Sequence, residues 1–249
     1  FQSAGQRCSA LRVLFVQEEI ADTIINMLTG ALRELRLGDP AQLSTDVGPV
    51  IDQKALNSLQ QHVEDMKDKA TLLFESKLPE DGQQGYFFAP RLYEIDNINK
   101  LSREVFGPCV HVIRYKEKHL QKVIEDINGT GFGLTMGIHT RIDEKAHELA
   151  KLSRAGNVYI NRNMIGAIVG VQPFGGRGLS GTGPKAGGPN YLPRLMLENA
   201  TPSFDRAGSS SVMLHNIAST EVDQKAAAVL MQKAVSTEVS WRETDLTAR

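Results

Sequence analysis

Residues 11–40 read LRVLFVQEEIADTIINMLTGALRELRLGDP. The first six, Leu11 to Val16, form an apolar run of the length of a buried strand. From 18 to 37 the apolar residues Ile20, Ile24, Met27, Leu28, Ala31, Leu32 and Leu35 recur at the spacing of one helix face. Gly38-Asp39-Pro40 stops that helix by breaker chemistry. The same alternation continues outward. A more polar helix is expected over 52–70, with Ala55, Leu59, Val63 and Met66 as its inner stripe. Strands are expected at 71–75, 86–93 and 109–115, a helix from His119 to Ile127, and a strand from Leu134 to His139. A helix at 143–153, ended by Gly156, and a short strand Val158-Tyr159-Ile160 complete the series. Strands alternating with helices predict an α/β fold, with a largely parallel sheet flanked by helices.

The 249 residues carry 28 Lys plus Arg against 29 Asp plus Glu, so the chain is close to neutral. It lacks the basic field that nucleic-acid binding needs, so no nucleic-acid partner is expected through this segment. No apolar run approaches the ~20 residues of a transmembrane helix, and no secretory leader is expected. Two cysteines, Cys8 and Cys109, are too few for a disulfide scaffold and suit a reduced, cytoplasmic chain. The histidines are scattered, with no HExxH and no CxxC, so no metal site is expected.

Three stretches could carry chemistry. Cys8 sits in QSAGQRCSA, beside the cation of Arg7 and among small residues that leave room for a substrate. A thiol becomes a nucleophile when its pKa falls near a cation. Taken alone, a free cysteine is better read as a small buried hydrophobe. Glu104 opens EVFGP at 104–108, just before a strand, where a carboxylate could take paired ribose hydroxyls and Phe106 could pack on a flat ring. A solvated turn would read the same way. The third stretch, GAIVGVQPFGGRGLSGTGPKAGG at 166–188, is dense in glycine. It contains no GxxxxGK[ST], because Ala186 follows Lys185, and Gly131, Gly133 and Gly137 have the wrong spacing for a dinucleotide turn. A long loop of bare N–H groups suits a small carboxylate better than a phosphate. Cys109, set between apolar strand positions, is expected in the core.

In combination, GQRCSA, then EVFGP, then PFGG at 173–176 with SGTG at 180–183 and GGPNY at 187–191, resembles the aldehyde dehydrogenase superfamily. Within it, SAGQRCSALRV and the GPKAGGP segment are most similar to the L-glutamate γ-semialdehyde (1-pyrroline-5-carboxylate) dehydrogenase domain of bifunctional proline utilization A proteins. The resemblance covers residues 1 to about 199 and implies an aldehyde dehydrogenase catalytic domain there. Residues 200–249 match no motif and are expected to be a tail or the start of another segment, with a helix over 220–235.

The resemblance implies roles residue by residue. Cys8 would attack the aldehyde carbon, giving a thiohemiacetal that loses hydride to NAD and leaves an acyl-thioester for water to hydrolyse. Glu104 would hold the nicotinamide ribose, and Phe106 would lie beside the cofactor. Ser9, Gly166 and Ala167 would anchor the substrate α-carboxylate, and Phe174 would pack on its aliphatic stem. Three further features of the family have no match here. They are the Gly-rich turn and ribose-binding Lys of the NAD domain, the general-base Glu, and the Asn that completes the oxyanion hole. The expectation is therefore a C-terminal catalytic half without its NAD-binding domain, inactive alone, from a homo-oligomeric parent. FAD would be needed only if that parent carries a proline dehydrogenase domain. Two other readings remain at this stage: a non-catalytic fragment or assembly module, and a cysteine hydrolase or acyltransferase.

Overall fold

The apolar run and the periodic segment behind it become β1 (Val13–Gln17) and α1 (Glu18–Arg33) in the computed structural model, which describes residues 1–78, 85–168 and 170–196 together with Gln232. Glu18 and Glu19 lie in the first turn of α1 and Arg33 in its last, both favourable to the helix dipole. The face that α1 buries differs from the expected stripe. Ala21, Ile25 and Leu32 are buried, with Ile24 and Leu28 packed beside them, while Ile20 and Met27 are exposed. The apolar stripe is wider than the contact, and the small Ala21 lets that row approach the sheet. The helix also stops before its Gly-Asp-Pro breaker. The Arg36 N–H donates to Asp46 Oδ2 at 2.8 Å, and Leu37 pairs with Val47. Glu34 and Leu35 close a last tight turn onto Ala31 and Leu32, and these tertiary partners take over at residues 36 and 37.

Helix α2 (Gln53–Met66) starts at Asp52, whose side chain accepts from the Ala55 N–H at 2.7 Å. It buries Leu59, His62 and Met66, with Ala55 and Val63 partly covered. Then come β2 (Thr71–Glu75), β3 (Arg91–Glu94) and β4 (Cys109–Tyr115). The strand expected from residue 86 begins only at Arg91. Pro90 has no N–H to give a ladder, and the Tyr86 carbonyl accepts from Val50 instead. The sheet order is β1-β4-β3-β2; β1, β4 and β3 run parallel, and β2 is an antiparallel edge.

The rest of the unit adds α3 (Leu120–Gly129), β5 (Phe132–Gly133), β6 (Thr135–Ile138), α4 (Asp143–Leu152), β7 (Asn157–Ile160) and β8 (Arg177–Gly178). Strands β6 and β7 pair in parallel, and β5 pairs with β8 antiparallel. The architecture is mixed α/β with parallel strands and helices, as expected, but among the described residues the strands fall into three sheets. The short β8 inside the Gly-rich stretch was not foreseen. The chain divides into two units, Phe1–Tyr191 and Leu192–Arg249, and the last described helix is α5 (Tyr191–Leu195). Apart from Gln232, the segment 200–249 and its expected helix lie outside the described residues.

Alternation along β4 gives the main sheet two apolar faces. Val110 and Val112 join Leu92 and α1 on one; Cys109 and Ile113 join Tyr93, Leu59 and Met66 on the other. Beside that second cluster, two buried histidines share a hydrogen bond. His62 Nε2 and His111 Nε2 are 2.9 Å apart, and His111 Nδ1 is 3.1 Å from the Arg12 carbonyl. A carbonyl only accepts, so His111 carries its proton on Nδ1, and His62 must donate from Nε2. The ring of Tyr93 stacks on His111.

Burial, then the neighbouring His111 and Arg103, lowers the His62 pKa from 6.5 to about 4. The unfolded chain then binds more protons than the folded one between those values, so stability is complete above pH ~6.5 and is lost as pH falls towards 4. At pH 5 the loss is about 2 kcal/mol. Urea midpoints at pH 7 and pH 5 check this, with His62→Gln expected to reduce the difference, since an amide donates without titrating; His111, whose pKa burial also lowers, keeps its own share. Equal wild-type midpoints would overturn it.

Candidate active site

The chain reaches Cys8 through an unusual turn. Ser3, Ala4 and Gly5 all have left-handed backbone, with φ of 54°, 52° and 65°. Gly5 is required twice over. Its φ disfavours any side chain, and a Cβ there would overlap the carbonyl of Gly107. Gly107 is itself pressed on the Leu59 side chain, where a Cβ would overlap the leucine methyls. The Cys8 segment and the EVFGP segment are thus in backbone-to-backbone contact, although about a hundred positions apart in sequence.

Cys8 occupies the next turn, closed by the Ala10 N–H donating to the Arg7 carbonyl at 3.0 Å. Its neighbours Ala4, Gly5, Ser9 and Ala10 are buried while Cys8 is exposed. The reading of Cys8 as a small buried hydrophobe does not hold. Cys109 is the buried one, and burial pushes its thiol pKa up to about 12. Both cysteines are free. Arg7 directs its Nε to Ser3 Oγ at 3.1 Å.

Cys8, Glu104 and Phe106 line one cleft of about 1140 Å³. Glu104 is not simply solvated. Its Oε1 lies 3.4 Å from the Nε of Arg12, a residue the sequence reading passed over. Arg12 Nη1 donates to the Gly5 carbonyl at 2.5 Å and Nη2 to the Arg7 carbonyl at 2.9 Å. Its guanidinium lies 4.4 Å over the Phe106 ring. Burial works against the Arg12 charge, and Glu104 opposes that effect. One sequence signal could have found it: an arginine inside the apolar run LRVLFV must find partners wherever it is covered.

The Gly-rich loop reaches this site through Gly166, and its Leu179 and Ser180 also line the cleft. The Gly166 N–H donates to Ser9 Oγ at 3.2 Å, and Gly166 has φ of 81°. Ser9 and Gly166 are therefore brought together beside Cys8. Ala167 follows Gly166; like Ser9, Gly166 and Phe174 it stands outside the lining of the cleft. Phe174 is fixed further along by a two-way backbone bridge to Ala186. Asn157 on β7 holds that region, donating to the Pro173 carbonyl at 2.9 Å and accepting from the Gly175 N–H at 3.2 Å. Lys185 donates to the Gly156 carbonyl.

The arrangement can do nucleophilic chemistry, since an exposed thiol on a tight turn faces a wide cleft. The same cleft presents an acceptor pair on Glu104 and an aromatic face on Phe106, which fit the ribose and flat ring of a dinucleotide such as NAD. Among the described residues no group of three or more His, Cys, Asp and Glu could hold a metal ion. No helix among them is long and apolar enough to cross a membrane.

The model of the Aldehyde dehydrogenase family matches residues 1–199. Bifunctional protein PutA of Escherichia coli K12 is 53% identical over 201 residues, covering 79% of this chain and 15% of that protein. A 1-pyrroline-5-carboxylate dehydrogenase of Geobacillus sp. WCH70 is 37% identical over 194 residues, covering 77% of this chain and 37% of that protein. A crystal structure of a Bradyrhizobium japonicum Proline Utilization A (PutA) mutant superimposes with a TM-score of 0.75 at 55% identity, covering 78% of this chain and 20% of that one. The chain thus spans well under half the length of each of these relatives.

Proposed function

Because the chain belongs to the aldehyde dehydrogenase family, we propose that it supplies the nucleophile and substrate anchor for oxidation of L-glutamate γ-semialdehyde to L-glutamate, within a longer proline-catabolic protein. The observation that carries this is the exposed Cys8 facing the same cleft as Glu104 and Phe106, with Ser9 and Gly166 joined beside it.

Residues 1–199 form the catalytic domain in this reading, and 200–249 are a separate segment. The Cys8 thiolate attacks the aldehyde carbon, and its own backbone N–H helps stabilise the oxyanion of the thiohemiacetal. The Glu104 carboxylate and the Phe106 ring hold and orient NAD, which when bound accepts the hydride. Water releases glutamate from the acyl-thioester on Cys8. In this reading the Gly166 N–H turns from Ser9 Oγ to the α-carboxylate, which the Ala167 N–H and the Ser9 hydroxyl also take, and Phe174, paired with Ala186, is assigned to the aliphatic stem. A homo-oligomeric, cytoplasmic parent suits this role, with FAD present only where a proline dehydrogenase domain accompanies it.

No position of this chain matches the family's general base or its second oxyanion donor. Positioning is worth several kcal/mol of barrier, roughly 7–11 in favourable cases. The 249-residue chain is expected to form NADH with pyrroline-5-carboxylate slowly or not at all, and the longer parent to form it readily. NADH absorbance decides the matter. A parent that ignores the aldehyde and instead hydrolyses a thioester without NAD would replace this reading with the hydrolase.

A further inference from the structure

The Arg12 guanidinium touches both halves of the cleft at once. Two of its nitrogens donate to the Gly5 and Arg7 carbonyls, which lie just before Cys8, the Arg7 carbonyl also closing the turn that presents it. Its third nitrogen reaches Glu104 Oε1, and its flat face covers the Phe106 ring. Its backbone is fixed in turn, since the Arg12 carbonyl accepts from the His111 N–H at 3.0 Å and from His111 Nδ1 at 3.1 Å. The Arg12 side chain is mostly covered, at 17% exposure.

We propose that Arg12 is a positioning residue that sets the spacing between the nucleophile and the cofactor-binding edge. The inference rests on the proposed roles of Cys8, Glu104 and Phe106. A planar fork with five N–H donors can serve two carbonyls, a carboxylate and a ring face together. A lysine ammonium has the charge but neither the fork nor the face, so it can keep only part of the set. With the arginine gone, the Gly5 and Arg7 carbonyls lose a shared partner and Glu104 loses its ion pair. The turn and the carboxylate can then move independently, and a shift of about 1 Å in such a site costs on the order of 100-fold in rate.

The test uses the full-length parent with Arg12→Met and Arg12→Lys. Four quantities are read: KM for NAD, KM for the aldehyde, the rate of iodoacetamide alkylation at Cys8 found by peptide mass, and Tm. The expected result in Arg12→Met is a rise of about tenfold in KM for NAD, a slower alkylation of Cys8, and an aldehyde KM within about twofold of wild type. Arg12→Lys is expected to resemble Arg12→Met rather than wild type, and it carries the same readouts if Arg12→Met does not fold. A fall in Tm with NAD KM and alkylation unmoved would make Arg12 structural only and overturn the proposal. The underlying roles are judged apart from it. An active Cys8→Ala, or NAD binding unchanged in Glu104→Gln, would remove those roles whatever Arg12 does.

Discussion

Replacing Cys8 by Ala in the full-length parent is expected to lower kcat for aldehyde oxidation by a factor on the order of 10⁴ or more, with NAD binding retained. Loss of the attacking group removes the covalent route altogether, and nucleophile deletions in covalent enzymes reach that size. The NAD contacts proposed for Glu104 and Phe106 do not involve the sulfur, so the dissociation constant for NAD should stay within about twofold. The structure also separates the two thiols. Cys8 is exposed, while Cys109 is buried with its thiol pKa raised to about 12. Iodoacetamide acts on thiolates, so native protein is expected to be modified at Cys8 and not at Cys109, and denatured protein at both. Peptide mass identifies the sites. A Cys8→Ala enzyme with near-normal turnover would show that another group attacks the aldehyde.

The second large effect is expected from Gly5→Ala. The new methyl would meet the Gly107 carbonyl, and neither partner is a flexible side chain that can swing aside. Gly5 also has φ of 65°, where an L residue is strained by about 1 kcal/mol. Overpacking adds roughly 1–3 kcal/mol, and the sum would lower Tm of the domain by several degrees. Activity should suffer more than stability, because the clash pushes the Cys8 turn away from Glu104 and Phe106. A loss of about 100-fold in kcat/KM matches a displacement of that order. Gly30→Ala is the matched control. Gly30 lies in α1, is exposed, and has nothing within 4 Å of a new Cβ. There alanine should stabilise by up to ~1 kcal/mol with turnover unchanged. Equal behaviour of the two variants would mean that the Gly5–Gly107 contact does not hold the site together.

How much of this could be read from the sequence follows from the range of the forces involved. The α/β alternation was legible because strand and helix impose their own periods on neighbouring residues, as in β1 and α1. The end of α1 was not, because Asp46 and Val47 intervene from ten residues away. β8 was hidden because two residues in a glycine-rich loop carry no period, and its partner β5 lies some 45 positions earlier. The candidate site divides in the same way. Cys8, Glu104 and Phe106 stand out as residue types in recognisable motifs, and the fold brings them to one cleft. Ser9 and Gly166 are joined by a hydrogen bond, and Phe174 is paired with Ala186. Arg12 was missed because its partner Glu104 is 92 positions distant, and only folding makes them neighbours.

The paired histidines behind the site offer one more use. His62 and His111 are held as opposite tautomers, one protonated on Nε2 and the other on Nδ1, and both rings are buried. Their imidazole protons are sheltered from solvent and resonate far from the crowded amide region of a proton NMR spectrum. Because His111 also grips the Arg12 backbone, those two signals form an internal gauge. They report, without any added label, whether the segment leading to the nucleophile is seated.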